Sequence, residues 1–126
     1  MVISFTGTNE FTDFIGANIP LATGGYAQQL VDAVIYYENV KAANPGMRIS
    51  FTGHSLGGGL ASLMGVLFNR HATVFAPAPF HTSAVVQSVL DTINSTLTSH
   101  GFVDNDFATY YNATSQARQS MYDQRR

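Results

Sequence analysis

The stretch Phe51-Thr52-Gly53-His54-Ser55-Leu56-Gly57-Gly58-Gly59-Leu60 constrains the fold of this chain more than any other. Before it, Met47, Ile49 and Phe51 alternate with Arg48 and Ser50, the period-two pattern of a strand. After it, Leu60, Leu63, Met64, Leu67 and Phe68 recur at helical spacing on one face. The chain must pass from strand to helix within a few glycine-rich residues. A turn that sharp needs glycine two residues either side of Ser55, because side chains at 53 and 57 would collide. It also holds Ser55 in a strained conformation that pushes its hydroxyl outward.

The rest of the chain repeats this alternation. Residues 2–6 are rich in β-formers and are followed by Gly7, which predicts a short buried strand. Residues 7–25 mix Gly, Asn, Pro and Thr and read as a loop. From Tyr26 the pattern is helical, with Leu30, Val34 and Tyr37 on one face, and Pro45-Gly46 stops it by Asn44. Residues 72–76 predict a third strand, closed by Pro77 and Pro79. Val86, Val89, Leu90, Ile93 and Leu97 predict another helix, ended near Gly101. Beyond it, Phe107, Tyr110, Tyr111, Thr114 and Met121 allow a weaker helix started by Asp106. Strands alternating with helices predict an α/β fold: a small three-layer sandwich whose short, mainly parallel sheet has right-handed crossovers and helices on both faces. With no linker, repeat or low-complexity tract, residues 1–126 read as one domain.

Composition narrows the function. Hydrophobic residues make up 45 %, enough for a core, while charged residues are only 11 %, so Asn, Gln, Ser, Thr and Gly must supply the polar surface. The net charge of −2, with Lys41 the single lysine, leaves no basic stripe for nucleic acid. There is no cysteine, which excludes disulfides and thiolate metal sites. The scattered histidines make poor metal ligands, and nothing calls for a cofactor. No apolar run approaches a membrane span, and no signal peptide is visible at the N-terminus. A cytoplasmic protein is the simpler expectation, with a chain that begins after processing as the other reading.

The strand before Gly53-x-Ser55-x-Gly57 and the helix after it match the nucleophile elbow of α/β hydrolases. Ser55 is the candidate nucleophile. The free N–H groups at the start of the following helix, beginning with Leu56, are placed to stabilise an oxyanion. The competing reading is a glycine-rich turn without chemistry. A phosphate-binding loop is excluded because no Lys-Ser/Thr follows the glycines, and a dinucleotide fingerprint because Ser62 stands at its last small position.

At these residues the chain resembles the lipase class 3 branch of the α/β hydrolases. Gly53-His54-Ser55-Leu56-Gly57-Gly58 is similar to that family's elbow, and Val2-Ile3-Ser4-Phe5-Thr6-Gly7-Thr8 to its oxyanion strand. The resemblance covers roughly residues 2–80. It implies a reduced α/β-hydrolase core and a serine carboxylic-ester hydrolase of the lipase or esterase kind, acting on a small ester or lipid. It also implies that Thr8 joins Leu56 in the oxyanion hole, with Asp13 and Asn18 structural. Family members run on to a late acid and a late catalytic His, and carry upstream strands. Against them this chain reads as a compact or truncated form.

A base and an orienting acid are the open question. His54 is expected to support the turn and His71 to lie at the opposite sheet edge. His81 follows the third strand at the carboxyl edge, where ligands gather in open α/β sheets, although a plain loop histidine is the competing reading. His100 ends a helix, where the dipole alone accounts for it. Only Asp91 followed by His100 has the family's chain order, but Asp91 shares a polar helix face with Gln87, Asn94 and Thr98. Asp104 and Asp106 are expected to approach the sheet edge after the helix. Some of Phe11, Phe14, Ile15 and Ile19 are candidates for an acyl pocket. A homodimer formed through the bare sheet edges, with a His donated by the second copy, is a further expectation. Three functions follow: an ester hydrolase, a hydrolase-like fragment without an effective base, and an interaction module.

Overall fold

The computed structural model describes residues 1–5, 24–75 and 86–126. Its elements in chain order are β1 (Val2–Phe5), α1 (Gly24–Ala43), β2 (Ser50–His54), α2 (Leu56–Phe68), β3 (Ala72–Phe75), α3 (Gln87–Ser99), α4 (Asn105–Tyr111) and α5 (Ser115–Arg125). The three strands pair parallel in the order β1-β2-β3. The expected α/β class and short parallel sheet are therefore present, in an arrangement consistent with a reduced α/β-hydrolase-like fold.

Register follows from the alternation of side chains. Ile3 pairs with Phe51, Phe51 with Ala72, and Gly53 with both Phe5 and Val74. Ile3, Phe51 and Gly53 are buried, and Phe5, Ala72 and Val74 half-buried. The intervening Val2, Ser4, Thr73 and Phe75 are exposed. Sheet order explains why one face is open. A right-handed crossover that steps the same way along the sheet each time leaves its helix on the same face. Helices on both faces require the stepping direction to reverse, and β1-β2-β3 does not reverse. The two-faced covering expected from the sequence is thus seen on one face only among the described residues.

On the covered face the core is aromatic. Tyr37 of α1 lies 5.3 Å from the Phe51 ring and 4.9 Å from Phe68 of α2. Phe68 in turn stacks at 5.7 Å on Phe107 of α4. Leu63, Met64, Leu67, Leu90 and Ile93 are wholly buried around this chain of rings. Burying rings of this size is the largest hydrophobic contribution that single side chains can make, and edge-to-face and tilted contacts add to it.

The last 25 residues differ from the weak single helix that the sequence suggested. They form two helices, each with its own cap. Asp104, not Asp106, starts α4, its Oδ1 accepting from the Phe107 amide at 2.9 Å. Thr114 starts α5, its hydroxyl accepting from the Ala117 amide at 3.1 Å. Arg118 closes the turn between them, donating to the carbonyl oxygens of Tyr110, Tyr111 and Ala113. Helix α2 also begins four residues earlier than its apolar pattern, at Leu56, because glycines supply its first turn.

Candidate active site

Ser55 stands between β2 and α2 with φ 55° and ψ −115°, a backbone region that costs a non-glycine residue strain. Two hydrogen bonds hold it there. Its N–H donates to the carbonyl oxygen of Phe75 in β3 at 2.9 Å, and its own carbonyl accepts from Gly59 at 2.9 Å. The glycine before it has a measurable cause. A Cβ on Gly53 would lie 2.2 Å from the carbonyl oxygen and 2.3 Å from the carbonyl carbon of Gly57, both rigid backbone atoms. The collision inferred from spacing is present in the geometry. Ser55 is exposed, so its side chain stands open at the carboxyl end of the sheet.

The bond from Gly59 to Ser55 is the first rung of the α2 ladder. The amides of Leu56, Gly57 and Gly58 therefore lie outside that ladder and carry the positive end of the helix dipole beside Ser55. Thr8 and His81 lie outside the described residues, as do Asp13, Asn18 and the acyl-pocket candidates Phe11, Phe14, Ile15 and Ile19.

The remaining candidates His71, His100 and Asp91 are engaged with partners other than Ser55. The backbone carbonyl of His71 accepts from Phe51 at the amino end of β3, and its ring meets Thr73 at 3.2 Å. His100 caps α3. Its Nδ1 donates to the carbonyl of Thr96 at 2.9 Å, and its ring stacks on Phe102. Asp91 accepts from the Tyr111 hydroxyl at 2.6 Å and from Gln87 at 2.9 Å. The hydrogen bond from Tyr111 is the main cause of its lowered pKa. Asp91 and His100 line one open groove of about 400 Å³ beside Val31. They do not hydrogen-bond to each other, being nine residues apart, or roughly 13 Å along the helix.

Asp104 and Asp106 go to the wrong end of the molecule for Ser55. Phe107 packs on Phe68, the last residue of α2, whereas Ser55 precedes its first. Thirteen helical residues separate these ends, roughly 20 Å. Asp104 is buried and serves a different cluster. Lys41 Nζ lies 2.6 Å from Asp104 Oδ2 and 3.2 Å from Glu38 Oε2. Burial and the adjacent Asp104 push the Glu38 carboxyl up to about 8. Burial alone raises Asp104, but hydrogen bonds from Glu38 and Lys41 bring it below the ordinary carboxylate value. Sequence reasoning missed this cluster. Its only local signal was the capping position of Asp104, three residues before Phe107.

A parallel sheet, a strained serine between strand and helix, and a glycine pressed against the helix start are together consistent with a reduced α/β-hydrolase-like fold. The chain belongs to the Tle-like phospholipase domain family, which it matches over residues 1–117. It is also 38 % identical over 77 residues to an extracellular phospholipase A1 of Serratia liquefaciens. That stretch takes in 61 % of this chain and 24 % of the relative, so the match spans about a quarter of that protein's length. No solved structure matches the chain. No helix among the described residues is long and apolar enough to cross a membrane.

Proposed function

We propose that this protein hydrolyses a carboxylic ester of a phospholipid through an acyl-enzyme on Ser55, as a lipase of the class 3 type. The observation that carries the reading is the strained, exposed Ser55 at the head of α2, and membership of a phospholipase family supports the substrate class. In the proposed reaction Ser55 Oγ attacks the acyl carbon while a base takes its proton. The amides of Leu56 and Thr8 hold the oxyanion, the alcohol leaves with the proton, and water then releases the fatty acid. The base is proposed to be His81. It follows β3 by six residues, and the last residue of β3, Phe75, is hydrogen-bonded to Ser55. His100, the other candidate base, caps the end of α3 with its Nδ1 bound to the Thr96 carbonyl. The acid is not assigned to Asp104 or Asp106.

The distance of those carboxylates from Ser55 favours a second reading, a domain that is acylated but turns over slowly. One experiment separates the two. Reaction with a fluorophosphonate probe, read by mass spectrometry, is run beside release of fatty acid from phosphatidylcholine for wild type, Ser55→Ala and His81→Ala. Labelling at Ser55 together with turnover lost in both variants is the expected result. Labelling without turnover selects the second reading, and folded protein that is not labelled at Ser55 overturns both.

A further inference from the structure

The amino end of the sheet, remote from Ser55, holds an open pocket of about 510 Å³ lined by Asn69, Arg70, His71, Thr109, Gln124 and Arg125, with Met121 as its apolar member. Two of the chain's six cationic residues meet here, in a protein whose net charge is −2. Neither arginine forms an ion pair among the described residues. Asp106 acts on Arg125 through space, but no carboxylate lines the pocket.

Both guanidinium groups are held in place by partners that leave their charge unanswered. Arg70 donates Nε–H to the Tyr37 hydroxyl at 3.0 Å and lies over the Tyr37 ring at 5.9 Å. Arg125 donates from Nη1 to the carbonyl oxygen of Val66 at 2.8 Å and lies over the Tyr110 ring at 5.6 Å. Neutral acceptors and ring faces orient the forks without neutralising them. The remaining N–H donors of both forks are uncommitted among the described residues. Side-chain entropy is thus partly spent before any ligand arrives, which favours binding. Planar forks with unused donors match the oxygens of a phosphate group. The side-chain amides of Asn69 and Gln124 add neutral hydrogen-bonding groups to the lining, while the Thr109 hydroxyl donates to the carbonyl of Asn105 and is left as an acceptor.

We infer that this pocket is a binding site for a phosphate group, carried either by a free phosphate or by a lipid head group. It is not the place for the phosphate of a lipid being cleaved at Ser55. His71 precedes β3 and Ser55 follows β2, so the length of a parallel strand, roughly 16 Å, lies between them. The site would take a second molecule, and it stands whether or not Ser55 is a nucleophile.

The test reads binding and needs no ester turnover. Inorganic phosphate is titrated calorimetrically at constant ionic strength into wild type, Arg70→Gln and Gln124→Glu. Co-sedimentation with phosphatidylcholine vesicles, with and without phosphatidic acid, forms the second arm. Gln124→Glu keeps both arginine anchors and places a negative charge at the rim, so it reports on the pocket even if Arg70→Gln unfolds. Saturable phosphate binding, weakened tenfold or more in the variants, supports the site with free phosphate as its source. Binding confined to phosphatidic acid vesicles and weakened by the same variants supports it with the head group as source. Absence of saturable binding in both arms, equal competition by chloride, or unchanged binding in Gln124→Glu overturns it.

Discussion

A Cβ on Gly53 would stand 2.2 Å from the carbonyl oxygen of Gly57, so the end of β2 and the start of α2 touch through backbone with no room between them. Gly53→Ala must therefore push the strand and helix apart. The expected loss is about 3 kcal/mol of stability, a fall in melting temperature on the order of 10 °C. Gly101→Ala is the comparison. Gly101 has φ 73° but open space around it, so its loss is only about 1 kcal/mol. Thermal denaturation followed by circular dichroism measures both, and equal effects would refute the steric account.

Strain at Ser55 gives a different signature. Alanine at 55 keeps the unfavourable φ of 55°, whereas glycine relieves it. Ser55→Gly is expected to be more stable than Ser55→Ala by about 1 kcal/mol, with neither variant labelled by a fluorophosphonate at this position. Denaturant midpoints at matched m-values provide the comparison.

Glu38 sets a pH dependence. Its folded pKa, about 8, lies above the unfolded value near 4.5. The native state therefore holds a proton that the unfolded state has released between these values. The contribution is fully present below pH 4.5 and is lost as pH rises towards 8. Asp104 has the opposite sign, its depressed pKa lowering stability only under acid conditions. Glu38→Gln cannot titrate, so the decline between pH 4.5 and 8 should flatten. Urea unfolding across that range tests this, and an unchanged slope would assign the decline to other groups.

Arg118 reads three carbonyl oxygens at the α4–α5 turn through Nε and Nη2, and reaches Gln87 through Nη1. Lysine keeps the charge but has no fork to span them. Arg118→Lys should cost about 2 kcal/mol, because the buried bond to Tyr110 and the part-buried bonds to Tyr111 and Ala113 lose their donors. Hydrogen exchange of the α4 and α5 amides should rise with it, while labelling of Ser55 stays as in wild type.

Among the described residues β1 and β3 each pair on one side only, with β2. Bare strand edges favour self-association. We expect a homodimer by size-exclusion chromatography with light scattering. A monomer at all concentrations would remove the second copy as an alternative source of the base to His81.

What the sequence determined by itself was local. Alternation around Phe51, the apolar stripe from Leu60 to Phe68, and the glycines flanking Ser55 specified strand, helix and elbow, because period and steric collision act between residues close in the chain. The capping of α4 falls on Asp104, where the sequence predicts Asp106, because only Asp104 stands three residues before the Phe107 amide it accepts from. Tertiary structure decided everything that depends on direction in space. Among the described residues, a sheet order without a reversal keeps the two crossover helices α1 and α2 on one face. The stacking of Phe107 on Phe68 carried Asp104 and Asp106 to the far end of α2, where Asp104 meets Lys41 and Glu38. No local pattern encodes such meetings, because Lys41 and Asp104 are 63 residues apart and only the packing of three helices brings them together.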